Sequence, residues 1–406
     1  MVPMVPRLRS STAPAPSGGG GDVPDAPART AYGLETAPPF PASALPDWTG
    51  ATRVGRADGW CPFAPTASNA TAQFLGLSDG TVAVCLPRWG QSSDDALAVA
   101  VVDVDTAGAP GIVASGAFPT GRYSTRGATL VERPGGLWAA VTEEARTRPE
   151  GRSGRTTLAL RVDGTTVAVD PDAPDAPAYT GSAFAVPGGA LVPVNAGRPA
   201  TLGFAHADTL VPSGPSVHPA CGAFDLVVPL APGVLALAHE AFDKVGGIDV
   251  VETDGVRLRT SHRYDHPVGE RMASPCGLVA LAPDTLLLIG DGVGSGTEVV
   301  RLVDGVATRT ARRTDGWFGE RYRYTATLQS PLSHSPRRTA VTFPGRSKRD
   351  LHLIDVGEDG DALEYVRRID LPLEAGETIL GVHRVGPDRV LVATSTGALD
   401  VYDLTG

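Results

Sequence analysis

Histidines and acids crowd one stretch of the 406-residue chain. Four of its eight histidines, His218, His239, His262 and His266, fall between positions 218 and 266, with Glu240 and Glu270 close by. Imidazole is the commonest metal ligand and the side chain that titrates nearest neutral pH, so this set could hold a divalent transition metal or form an acid/base pair. His218, His239 and His266 are the candidate metal ligands, and Glu240 or Glu270 would orient a ligand or act on bound water. The competing reading is that polar loops simply contain histidine. Familiar motifs add nothing: neither Lys244 nor Lys348, the two lysines, follows a glycine, which excludes a Gly-Lys-Ser/Thr phosphate loop. CxxC and HExxH are absent, and His239-Glu240 lacks a second histidine at the required offset. No resident cofactor is expected, and a divalent metal is the one inorganic ligand left open.

Two further features involve arginine. Gly269-Glu270-Arg271 and Gly319-Glu320-Arg321 repeat one tripeptide 50 residues apart, which fits a turn and ion pair built twice, or ligand contact by Arg271 and Arg321. From Arg309 to Arg349 ten basic residues stand against Asp315 and Glu320, a net charge of +8 in a chain of net charge -10. Trp317, Phe318, Tyr322 and Tyr324 interleave with those arginines as stacking surfaces would. The sector 309–349 is therefore the expected contact for an acidic protein or anionic ligand, unless its charges only solvate outer strands.

Composition narrows the class. Hydrophobic residues at 42% describe a globular chain with ample core, and 49 Gly with 36 Pro imply many turns and few long helices. No apolar run approaches the ~18 residues of a membrane helix. An acidic balance makes sequence-specific nucleic-acid binding an unexpected role. Residues 1–45 read as a disordered Pro/Gly/Ser-rich tail and residues 46–406 as a single domain. Arg7 and Arg9 are followed by no apolar segment of a signal peptide, which favours the cytoplasm over export. Four cysteines allow three pairings; for Cys221 and Cys276, each just before a glycine, free thiols are expected over a bridge.

What must position the histidines and arginines is a repeat. Apolar runs are entered by turns such as Ser78-Asp79-Gly80, Pro134-Gly135-Gly136 and Pro283-Asp284. Taking Val82, Leu137, Ala190, Val234, Thr285, Thr339 and Val390 as markers, the intervals run from 44 to 55 residues, one period seen seven times. Inside the fifth unit Gly277–Ala282, Thr285–Ile289, Thr297–Val303 and Val306–Thr310 read as four strands A to D, with Asp304-Gly305 supplying a tight hairpin. Asp163-Gly164, Asp254-Gly255 and Asp359-Gly360 repeat that signal. The last unit has room for only one strand, Ala398–Leu404, after Val390–Ala393, so Ala51–Val54 is expected to supply its outer strand.

An apolar residue followed by Asp closes several C strands, as in Ile354-Asp355 and Tyr402-Asp403. Together with Leu351–Val356 and Thr396–Leu404, this resembles the YVTN and WD-repeat superfamily in degenerate form, and the residue usage resembles that of a GC-rich bacterial genome. The resemblance implies an all-β, seven-bladed β-propeller of four-stranded antiparallel blades, the last closed by an N-terminal strand, and no particular activity. It also implies that the D-to-A and B-to-C loops share one face. That would gather His218, His239, Glu240, His262, His266 and Glu270 at the mouth of blades four and five. Two function classes follow: a non-enzymatic binding or assembly scaffold, or a lyase- or hydrolase-type enzyme with a His-rich site.

Overall fold

The computed structural model describes residues 48–63, 72–87, 97–105, 107–118, 124–144, 155–174, 184–186, 188–193, 202–217, 223–231, 233–240, 246–253, 258–267, 275–290, 296–314, 332–333, 338–341, 349–357, 360–386 and 388–406. They form strands joined by short turns. β1 (Gly50–Ala57) stands apart from the meanders that follow. The first meander is β2 (Gln73–Gly76), β3 (Val82–Pro87), β4 (Leu97–Val104) and β5 (Pro110–Phe118). The second is β6 (Ser124–Arg133), β7 (Gly136–Glu144), β8 (Arg155–Asp163) and β9 (Thr166–Val169). The third is β10 (Phe184–Val186), β11 (Gly189–Pro193), β12 (Leu202–His206) and β13 (Pro212–Val217). The fourth and fifth are β14 (Ala223–Ala231), β15 (Val234–Glu240), β16 (Gly246–Thr253), β17 (Leu258–Asp265), then β18 (Pro275–Ala282), β19 (Thr285–Gly290), β20 (Thr297–Val303), β21 (Val306–Arg313). The sixth is β22 (Leu332–Ser333), β23 (Arg338–Val341), β24 (Asp350–Val356) and β25 (Leu363–Asp370). The chain ends with β26 (Ile379–Gly386), β27 (Arg389–Thr394) and β28 (Leu399–Thr405).

β1 pairs antiparallel with β28, so the last sheet runs β1-β28-β27-β26. The expected closure holds: Ala51 faces Leu404 and Arg53 faces Tyr402. The first two meanders join into one sheet through a single parallel pair, Ser115 and Thr166. Every repeat marker lies on the second strand of its meander, which is why the period was visible in sequence.

Alternation of side chains along each strand builds the ring. Val82, Val84 and Leu86 pack against the last sheet, whereas Ala83 and Cys85 on the same strand pack against the second meander. Five further seams follow the same rule, each joining consecutive meanders, and the seam between the last and first sheets closes the circle. The chain is a β-propeller. Central strands are apolar on both faces because both faces are covered; β4 is buried from Leu97 to Val102.

Turn chemistry matches the geometry it must adopt. Asp304 and Gly305 both take positive φ, 51° and 79°, as a two-residue hairpin requires. At Ser78-Asp79-Gly80 the Asp79 carboxylate accepts from the amide and hydroxyl of Thr81, which makes this segment a turn. Asp254-Gly255 lies outside the described residues. No helix among the described residues is long and apolar enough to cross a membrane.

Candidate functional site

Among the described residues, buried carboxylates and a buried histidine enter the apolar third strands at one ladder position. Asp249, Glu298, His352 and Asp400 each lie near the start of the third strand of the fourth to seventh sheets and are at most 8% exposed. Each faces an arginine across the ladder to the outer strand: Asp249 and Arg263, Glu298 and Arg312, His352 and Arg368, Asp400 and Arg56. In the first meander the corresponding residues are Ala100 and Ser115, which carry no charge.

A bulge explains how two outer-strand residues serve one acid. Past each pair the register slips by one, so Ser261, Thr310, Val366 and Val54 face no partner. In a regular strand residues i and i+2 share a face; an inserted residue makes it i and i+3. Arg309 and Arg312 therefore both reach Glu298, at 3.1 and 3.2 Å. Arg53 and Arg56 both reach Asp400, at 3.8 and 3.3 Å. Tyr365 takes the equivalent place in the sixth sheet, its hydroxyl 3.2 Å from His352 Nδ1. Arg263 holds Asp249 through two nitrogens, Nε and Nη2.

Glu298 is the most heavily engaged of these acids. Beyond its arginines it accepts from the Tyr264 hydroxyl at 2.7 Å, and His266 Nδ1 lies 3.2 Å from Oε2. This is where the expected histidine site meets the structure. His266 follows the end of β17, as expected, but it is closed off from solvent: it is 1% exposed, turned against the fifth sheet, and its Nε2 has no hydrogen-bond partner. His262 also departs from expectation, standing within β17 opposite Val250, with Ser261 Oγ 3.0 Å from its Nδ1. His239 and Glu240 end β15, paired with Phe224 and Ala223 on one side and Gly247 and Gly246 on the other. The backbone thus brings His239 and Asp265, the residue before His266, to one rung of the fourth sheet. His218, Glu270, Arg271, Glu320 and Arg321 lie outside the described residues. Among the described residues no group of three His, Cys, Asp or Glu is placed to hold a metal ion.

The last sheet holds a second charged centre. Arg56 donates to Glu377 Oε1 at 2.7 Å and stands 3.1 Å from Asp58, while Arg53 reaches Glu374 at 3.4 Å. Burial would raise the Glu377 carboxyl, but hydrogen bonds from Arg56, Thr396 and the Glu374 amide outweigh it and hold it at about 2. Asp400 moves the other way: its burial outweighs Arg56, the Tyr402 hydroxyl and Arg53, so its carboxyl is raised. Tyr402 is raised in turn, by burial and by the adjacent Asp400. His352 and His383 are both held down at about 4, by burial and, for His352, also by Arg368. His383 stacks on Phe74 with ring centroids 5.6 Å apart.

The basic sector is partly used within the ring. Arg309 and Arg312 serve Glu298, Arg313 donates to Leu363 O at 3.2 Å, and Arg349 donates to the carbonyls of Leu373 and Glu374. An open cleft of about 360 Å³ lies where β21 meets the start of β25, lined by Arg312, Arg313, Asp361 and Glu364 among others. Of the cysteines, the Cys61 thiol donates to the Phe63 carbonyl, and burial pushes the Cys85 thiol up to about 12. Cys221 and the side chain of Cys276 lie outside the described residues.

No family model and no curated protein matches the chain. Solved structures are similar to it at very low identity, among them the following three. A chain of the mitotic checkpoint complex gives a TM-score of 0.48 at 10% identity, covering 90% of this chain and 99% of that one. U3-55K gives 0.46 at 8%, covering 87% and 95%. The RRP9 WD40 repeats give 0.47 at 10%, covering 84% and 99%. Likeness at this level carries no argument about function, and the propeller assignment rests on the sheets and seams themselves.

Proposed function

We propose that the protein is a binding or assembly scaffold. The observation that carries this reading is the disposition of its charges. In four consecutive sheets the buried titratable group at the head of the third strand is engaged by its own outer strand, which stiffens the end of each sheet from which the loops emerge. Groups able to do chemistry are thereby committed to holding a frame, and a rigid frame that presents variable loops suits recognition. The contact we favour is the sector 309–349, through Arg321, Arg323, Arg337, Arg338, Arg346 and Lys348, with an acidic protein or anionic ligand as partner. Anisotropy titration with fluorescent poly-glutamate tests this. Charge reversal of Arg321, Arg323, Arg337 and Arg338 to Glu should weaken binding at least about tenfold and flatten its salt dependence. Equal binding by the reversed variant would refute the assignment.

One observation favours a propeller enzyme of lyase or hydrolase type. His266 has Nδ1 against a carboxylate and a buried, unpartnered Nε2, the arrangement that orients a metal-ligating imidazole. Elemental analysis of protein purified without an affinity tag separates the readings. Stoichiometric metal that is lost in His266→Ala would favour the enzyme; its absence from the wild-type protein leaves the scaffold.

A further inference from the structure

Among the described residues only the last sheet takes its outer strand from a distant part of the chain, and that strand carries the countercharge for a buried centre. Arg56 and Asp400 are 344 residues apart, whereas Arg263 and Asp249 are 14 apart. Take β1 away and Glu377 and Asp400, 2% and 0% exposed, are left beside Glu374 with no guanidinium. The edge of β28 is then a row of unpaired backbone groups flanked by three carboxylates, an acceptor with a defined chemical preference. Three features of β1 answer it: arginines at i and i+3 brought together by the bulge, and a glycine between them. A Cβ on Gly55 would stand 2.5 Å from Pro110 Cδ and 2.8 Å from Gly108 O, so the neighbouring hairpin admits only glycine there. The same i, i+3 arginine pair on β21 engages Glu298, so the recognition pattern occurs twice in one molecule.

We propose that the β28 edge is a strand-acceptor site selective for an extended Arg-x-Gly-Arg segment, and that it takes residues 48–57 from a second copy of this chain as well as from its own. Trp48 completes the match, since its Nε1 donates to Asp388 at 2.9 Å on the same sheet. Exchange of this segment would link two rings without any other surface.

The test uses the full chain carrying Arg56→Ala, in which the resident strand is weakened, and a fluorescent synthetic peptide of residues 48–57. The wild-type peptide should bind this variant and restore its melting temperature, and should bind the wild-type chain far more slowly. A peptide with Arg53→Ala and Arg56→Ala should do neither. Should Arg56→Ala fail to fold, Arg56→Lys, which keeps the charge but loses the forked contact, takes its place. Binding of both peptides alike, or of neither, would overturn the proposal.

Discussion

Arg56 and Asp400 face each other across the ladder that closes the ring, with Nη1 3.3 Å from Oδ2 although 344 residues separate them. The contact is charged, buried on the acid's side and made by a strand that is not contiguous with its sheet. Removing the Arg56 guanidinium takes away the nearer of the two arginines and leaves the buried carboxylate with Arg53 at 3.8 Å and the Tyr402 hydroxyl, a loss of at most roughly 3–5 kcal/mol. Arg56→Ala should therefore lose hydrogen-exchange protection first in β28 while β19 and β20 keep theirs. Uniform loss across the ring would show that closure is not the local weak point.

Glu298 joins the fourth and fifth sheets, since Tyr264 and His266 reach it from one and Arg309 and Arg312 from the other. Glu298→Ala should destabilise by about 3–5 kcal/mol in urea titration, because two guanidinium groups lose their acceptor. Glu298→Gln keeps the shape and some hydrogen bonds, so its cost should be smaller. Equal effects would mean that the carboxylate charge, and not the shape or the remaining hydrogen bonds, carries the contact.

Acid should act on the buried histidines before it acts on the carboxylates. His352 and His383 have folded pKa values of about 4 against 6.5 for a free side chain, so between these limits the unfolded chain binds more protons. Their share of stability is full above 6.5 and is lost as pH falls toward 4. Glu377, at about 2 against 4.5, adds a second loss below pH 4.5. His383→Phe, which keeps a ring beside Phe74, should flatten the first segment of the melting-temperature curve. An unchanged slope between pH 6.5 and 4 would contradict that account.

Close backbone approach makes another position intolerant. A Cβ on Gly116 would run into the carbonyl of Val167, where the first and second meanders touch. Gly116→Ala should force these outer strands apart and cost more than about 1 kcal/mol, measurable by chemical denaturation. A neutral result would show the contact to be slack.

Much of the frame was legible because burial on both faces produces apolar runs and hairpins demand particular residues. The strand at Thr285 and the Asp304-Gly305 turn were found on those grounds. Strand ends were less so: β21 runs to Arg313, three residues past the expected Thr310, since its alternating polar outer face carries little signal. The four polar positions were missed. A single acid or histidine inside an apolar run, as in Ile248-Asp249-Val250 or Leu351-His352-Leu353, looks like noise. Its partners follow no fixed spacing, because the bulge shifts the register and β1 comes from the other end of the chain. The i, i+3 pairs Arg309/Arg312 and Arg53/Arg56 were the available clue. His266 does lie past the end of β17, but nothing in the sequence signalled that Glu298 would draw it inward.

Closure by β1 is the claim on which the ring, its charged seams and its strand-acceptor edge all depend. Melting temperatures of two truncations test it most directly. Deletion of residues 1–28 should leave the melting temperature unchanged, whereas deletion of residues 1–58, which removes β1 with Trp48, Arg53 and Arg56, should lower it by more than about 5 °C. Equal melting temperatures for the two truncations would contradict the account.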